Sequence, residues 1–133
     1  MSISVERNGR LFTIHTAHTT YQMLADDHDV LLHLYYGRRS EGCGDYLLTY
    51  ADHGFSGNIY DAGSDRTYSL DFMPQEYPCS GSGDFRSPAV RIADSNGIEW
   101  CDLRYSSYEV ISGKYSLPGL PAVYAEDGDE AVT

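Results

Sequence analysis

Apolar and polar residues alternate from the start of the chain. Ile3 and Val5 are interleaved with Ser2, Ser4 and Glu6, and Leu11, Phe12 and Ile14 resume the pattern after Asn8-Gly9. An Asn-Gly pair between alternating runs is a strong hairpin signal, because both residues tolerate the positive φ that a tight turn needs. Residues 2–7 and 10–16 therefore predict a β-hairpin. From His18 to Ala25, Thr19, Tyr21 and Met23 share one face while Thr20, Gln22 and Leu24 share the other. The cluster from Ala25 to Asp29 predicts a turn. The run VLLHLYY, Val30 to Tyr36, is dense enough to predict a strand buried on both faces.

Beyond Gly37 the pattern breaks. Arg38 and Arg39 read either as a solvated strand end or as partners of nearby carboxylates. Ser40 to Asp45 predicts a loop, and Tyr46 to Tyr50 a short strand or extended segment. Residues 51–64 are too rich in turn formers for either period. Ser69-Leu70-Asp71 can begin a single helical turn, which Pro74 would end or kink. Glu76-Tyr77-Pro78 reads as extended, and Ser80 to Gly83 as a flexible turn. Alternation returns at Val90 and Ile92, Asn96-Gly97 gives a second hairpin signal, and Glu99 to Ser112 reads as a long strand. Gly113-Lys114 turns the chain. Leu117 to Tyr124 is a proline-defined extended segment. Ala125 to Thr133 reads as a disordered acidic tail, or as a surface loop whose next strand is missing. The sum is an all-β chain of about eight strands, an antiparallel β-sandwich or a large part of one, with little helix.

Composition sharpens this picture. The 133 residues suffice for one domain with a core, and 41% of them are hydrophobic, which argues against disorder. With 20 acidic against 9 basic residues the formal charge is −11, which disfavours nucleic acid and anionic membrane surfaces as partners. No apolar run is long enough for a signal peptide or a membrane span, so the expected location is the cytoplasm. Cys43, Cys79 and Cys101 show no CxxC spacing and read as thiols of a reducing compartment. His15 and His18, three apart in strand-like text, point to opposite faces, so no metal site is expected. Twelve tyrosines suit β-sheets, where the ring packs and the hydroxyl finds a partner; they also suit sugar-facing surfaces.

The chemistry gathers around residues 65–89, DRTYSLDFMPQEYPCSGSGDFRSPA. A long segment rich in both rings and charges, held between strands, is more often a binding surface than a connector. There is no phosphate loop, GxSxG elbow or HExxH. Abundant acids leave paired-carboxylate glycoside hydrolysis open, but they are also the ordinary condition of so acidic a chain. Asp52, Phe55, Arg66, Asp84, Phe85 and Arg86 supply a kit for sugars: carboxylates accept from hydroxyls, guanidinium groups donate to oxygens, and rings pack on pyranose faces. The competing readings are plain. Asp52 could be a turn carboxylate bonding its own backbone. Asp84 and Arg86, flanking Phe85, read better as an ion pair that braces the loop.

The runs YADHGFSGNIYDAGSDRTYSLD, PQEYPCSGSGDFRSPA and DLRYSSYEVISGKYSLPGLPAVYAED, with NGRLFTIHT and VLLHLYYGRR, resemble the N-terminal region of glycoside hydrolase family 36 α-galactosidases. The resemblance covers nearly the whole chain. It implies that residues 1–133 are part of a large N-terminal β-sandwich, whose family continues into a catalytic (β/α)8 barrel and a C-terminal β-domain not found in these residues. It implies a retaining mechanism on barrel aspartates, terminal α-galactosides such as melibiose and raffinose as substrates, and no cofactor. It further implies a homotetramer, in which this domain contacts the barrel of its own and a neighbouring subunit.

By the same resemblance, Asp52 in Tyr50-Ala51-Asp52 and Arg66 in Asp65-Arg66-Thr67 match positions that line the neighbour's substrate pocket, while this portion alone is not expected to be active. Tyr108 departs from a frequent histidine, and Cys43 and Cys79 from other small or polar residues. The alternatives are a non-catalytic galactoside-binding or assembly sandwich, and a purely structural chain whose charges are locked in internal pairs. A partial sandwich would also leave strand edges and apolar faces open, so the isolated chain is expected to be poorly stable.

Overall fold

The computed structural model describes residues 1–54, 57–81, 83–114, 118–121 and 124–133. Strands β1 (Ser2–Glu6), β2 (Leu11–His15), β3 (Thr19–Ala25) and β4 (Leu31–Arg38) form one antiparallel meander in sequence order. A separate antiparallel pair joins β5 (Val110–Ser112) to β6 (Glu130–Val132). Among the described residues, helix is limited to two 3-10 turns, Asp45–Leu47 and Tyr60–Ala62. The expected all-β, antiparallel, helix-poor fold is therefore what the chain forms.

Local signals place the turns. In the β1–β2 hairpin the amides of Gly9 and Arg10 both donate to Glu6 O, at 3.2 and 3.1 Å. Arg7 and Asn8 adopt φ of 51° and 55°, so the tight turn is centred on them, one residue earlier than the Asn-Gly pair suggests. Gly9 follows at φ 85°, and a Cβ there would in addition lie 2.6 Å from Tyr108 Cε1. At the β3–β4 turn, Asp26 Oδ1 accepts the amides of His28 and Val30, both at 2.9 Å. The helical turn expected at Ser69 forms, with Met73 N donating to Ser69 O at 3.1 Å, and Pro74 follows it.

The main core lies between β4 and the segment that follows it. Val30, Leu32, Ile59, Tyr68, Leu70 and Met73 are buried together, with Leu48 and Ala62 packed against them. The ring-rich stretch at 65–89 thus supplies core as well as surface. Its next residues close the sheet edge: His33 N donates to Pro74 O at 2.7 Å and Glu76 N to Leu31 O at 2.9 Å. Glu76 also accepts from Tyr21 Oη at 2.5 Å and pairs with His33 Nδ1 at 2.9 Å. Covering β4 in this way removes an open edge. The 40–44 loop covers one face of the sheet, over β3. Buried Gln22 donates to Gly42 O and accepts from Gly44 N, each at 2.9 Å, so its amide is satisfied.

Several expectations are corrected. β4 is not buried on both faces: Leu32 and Leu34 are buried, but Leu31, His33 and Tyr35 are half-buried and Tyr36 is exposed. Six strands are named among the described residues rather than about eight. The Tyr46–Tyr50 text begins with a 3-10 turn instead. The turn at Asn96-Gly97 forms, with Asp94 N donating to Ile98 O at 3.0 Å, yet its flanks meet only in an isolated Ala93–Glu99 bridge. Of the long Glu99–Ser112 strand, only Val110–Ser112 forms a named strand, paired with β6. Alternation alone makes no ladder where no neighbouring strand is present; Ile98, Trp100 and Leu103 stay exposed. The acidic end is not a disordered tail. Glu130–Val132 pairs with β5, Glu130 accepts Ile3 N at 2.8 Å, and Asp129 holds the N-terminal ammonium at 2.5 Å. Of the Leu117–Tyr124 segment, residues 117, 122 and 123 lie outside the described residues.

Candidate substrate-contact site

Asp52 and Arg66 come together. Arg66 Nε lies 3.0 Å from Asp52 Oδ2, and Arg66 Nη2 donates to Asp52 Oδ1 at 3.3 Å, a two-point carboxylate–guanidinium pair. Arg66 Nη2 also reaches Gly54 O at 3.4 Å. Asp52 accepts the Gly54 amide at 2.8 Å, so the turn-carboxylate reading of Asp52 holds alongside the pairing. The Gly54 amide and then the Arg66 guanidinium hold the Asp52 carboxyl below its ordinary range, so it is ionised at neutral pH. Both side chains are exposed, 48% for Asp52 and 67% for Arg66. They are not locked inside the chain.

An aromatic stack stands beside the pair. The His53 and Phe72 rings are parallel within 10°, with centroids 3.3 Å apart, and Phe72 is half-exposed at 53%. Sequence reading missed these two residues. They are far apart in the chain, and no local pattern couples a histidine in a turn to a phenylalanine in a helical turn. Phe55, named with the sugar kit, lies outside the described residues.

Asp84 and Arg86 form the brace that the sequence suggests. Arg86 Nε donates to Asp84 Oδ1 at 2.9 Å and Nη2 to Oδ2 at 2.7 Å. The same Nη2 reaches the carbonyls of Leu70 and Met73, at 2.8 and 2.7 Å, and Gln75 Nε2 donates to Asp84 at 2.7 Å. The guanidinium thereby ties residues 84–86 to the end of the helical turn. Burial pushes the Asp84 carboxyl up, but the Arg86 hydrogen bonds outweigh it and hold it below the ordinary range. Phe85, between them, points outward and is exposed. Of the paired arginines, Arg39 pairs with Glu41 at 3.2 Å and donates to Thr16 O at 2.9 Å, while Arg38 is exposed at the strand end.

Near the β3–β4 turn a cleft of about 530 Å³ is lined by Tyr50, Asp65, Tyr68, Asp27, His28 and the β1–β2 turn. Tyr68 Oη donates to Asp26 Oδ2 at 2.6 Å, and Arg10 donates to Asp26 O at 2.5 Å, so much of this lining is already hydrogen-bonded within the chain. Asp52 and Arg66 are not among its walls.

The antiparallel, helix-poor fold is the one that the family resemblance implies. Residues 29–133 match the glycosyl hydrolase family 36 N-terminal domain, and the chain belongs to that family. It is 57% identical over 96% of its length to the bifunctional alpha-galactosidase/sucrose kinase AgaSK of Mediterraneibacter gnavus, and spans 14% of that protein. Its fold superposes on the galactosidase domain of AgaSK with a TM-score of 0.89, covering 96% of this chain and 18% of that one. The alpha-galactosidase AgaA of Geobacillus stearothermophilus, solved in complex with raffinose, is 37% identical, with a TM-score of 0.80 over 90% of this chain and 16% of that one. The chain therefore spans less than a fifth of the length of these relatives.

Proposed function

We propose that this chain serves as the N-terminal β-sandwich portion of a cytoplasmic, retaining α-galactosidase, and that Asp52 and Arg66 enter the substrate pocket of a neighbouring subunit in a homotetramer. The exposed two-point pair carries the reading. An ion pair this open contributes little to stability, and both of its members keep hydrogen-bonding capacity for an outside ligand. Asp52 accepts from galactoside hydroxyls and Arg66 donates to sugar oxygens or fixes the loop beside them. The His53–Phe72 stack offers an apolar ring edge next to the polar pair. Family membership and the raffinose complex of AgaA support α-galactosides such as raffinose and melibiose as the substrate class.

The test is kinetic and uses the complete enzyme. Asp52→Ala and Arg66→Ala each lower kcat/KM for raffinose about ten- to a hundredfold, the scale of a lost hydrogen bond to a charged group. Mixing Asp52→Ala subunits with subunits whose barrel is inactivated restores activity in hybrid tetramers, because an intact barrel then meets an intact neighbouring edge. Unchanged kinetics in both variants would sink the pocket assignment. Failure of the hybrids to recover, with both variants impaired, would place the pair at its own subunit's barrel.

A further inference from the structure

We propose that Cys79 and Cys101 are a latent intrachain disulfide site, closed by exchange with a low-molecular-weight disulfide such as oxidised glutathione. The two side chains are neighbours although they lie on separate segments. The backbone holds them there: Cys101 N donates to Ser80 O at 3.0 Å, next to Cys79, and Cys79 bridges in parallel to Val90. Cys79 Sγ donates to Tyr77 O at 3.2 Å, which fixes the side-chain direction. No disulfide joins any of the three cysteines in the structure. Cys43 is elsewhere, facing Arg7 Nη2 at 3.8 Å on the loop beneath the sheet.

Exposure sets the order of events. Cys101 is half-buried and Cys79 is buried. Burial, together with the neighbouring sulfur, holds the Cys79 thiol above the ordinary cysteine range, so Cys101 is the group that meets the oxidant. The Cys101 thiolate attacks one sulfur of oxidised glutathione, forms a mixed disulfide and releases one glutathione thiolate. Cys79 then loses its proton and attacks Cys101 Sγ. The new sulfur–sulfur bond displaces the second glutathione. The protein gives up two protons and two electrons, and one glutathione disulfide becomes two glutathione thiols. The bond would join residues 79 and 101 across a region otherwise held by isolated bridges.

Peptide mapping of the full chain decides the matter, because the three cysteines fall on three tryptic peptides. Cys43 lies between Arg39 and Arg66, Cys79 between Arg66 and Arg86, and Cys101 between Arg91 and Arg104. After incubation with oxidised glutathione and alkylation, the peptides Thr67–Arg86 and Ile92–Arg104 are expected as one cross-linked species. It is two hydrogens lighter than their sum and is released by dithiothreitol, while Cys43 is alkylated or glutathionylated without pairing. Three results overturn the proposal: Cys101 glutathionylated while Cys79 is alkylated, cross-links that run through Cys43 or between copies, or both cysteines fully alkylated. No substitution is needed, so a folding defect cannot blur the outcome.

Discussion

Two arginine–aspartate pairs in this molecule share one chemistry and differ in everything around it. Arg86–Asp84 and Arg66–Asp52 each make two-point contacts at 2.7–3.3 Å. The Asp84 side chain is 1% exposed, and its partner also serves two backbone carbonyls; the Asp52 side chain is 48% exposed and faces solvent. A buried carboxylate has to be satisfied or it destabilises the fold, so the first pair is committed to structure. An exposed pair is screened by water and gains little from its geometry, so the second is available for another partner. The same side chains thus brace a loop in one place and present a polar edge in the other. Desolvation, rather than residue type, separates the two roles.

Removing Arg86 should be the most damaging change. Arg86→Ala leaves the buried Asp84 carboxylate without its counter-charge and takes one donor each from Leu70 O and Met73 O, at a cost of roughly 3–5 kcal/mol, measurable as a lower urea midpoint. If the variant unfolds with Arg66→Ala rather than well below it, the contrast between the pairs fails. Leu32→Ala, at a fully buried position of the core that β4 shares with Tyr68 and Leu70, should cost about 2–5 kcal/mol in the same assay.

Acid provides a finer test of the brace. The folded-state Asp84 carboxyl is depressed, so its contribution is complete above the ordinary carboxyl range near about pH 4. It is lost as pH falls through the lower folded value. In Arg86→Gln the guanidinium is gone while burial stays, so the Asp84 carboxyl should titrate higher than in the parent chain. Carbon-detected NMR titration of that carboxyl reads the direction, and a value unchanged from the parent would remove the Arg86 guanidinium as the cause. The smallest stability effect is expected at the exposed pair. Asp52→Ala and Arg66→Ala should move unfolding free energy by no more than about 1 kcal/mol. A larger loss would make that pair a second brace.

Much of the architecture was legible because its signals are local. Alternation marked the first four strands, Asn and Gly marked the turns near residues 8 and 96, and Pro74 marked the end of the helical turn. The segment from Glu99 to Ser112 was misread because a strand exists only where another backbone supplies its hydrogen bonds. Its alternation carried no information about a neighbour. The acidic end was misread for the converse reason: β5 and the amide of Ile3 give it partners that lie far away in sequence. At the candidate site the residue types were readable, and the resemblance selected Asp52 and Arg66. Their mutual pairing and the His53–Phe72 stack were not readable, since each joins residues from separate turns.

The sequence by itself determined that this chain is an antiparallel, helix-poor β protein of the family 36 N-terminal type, because alternation, turn chemistry and long motifs are properties of contiguous residues. Only the tertiary structure decided which charges are structural. Whether a carboxylate braces the fold or faces a ligand depends on how much water its surroundings exclude, and distant segments set that: residues 70–75 bury Asp84, while the Asp52 side chain stays half open to solvent.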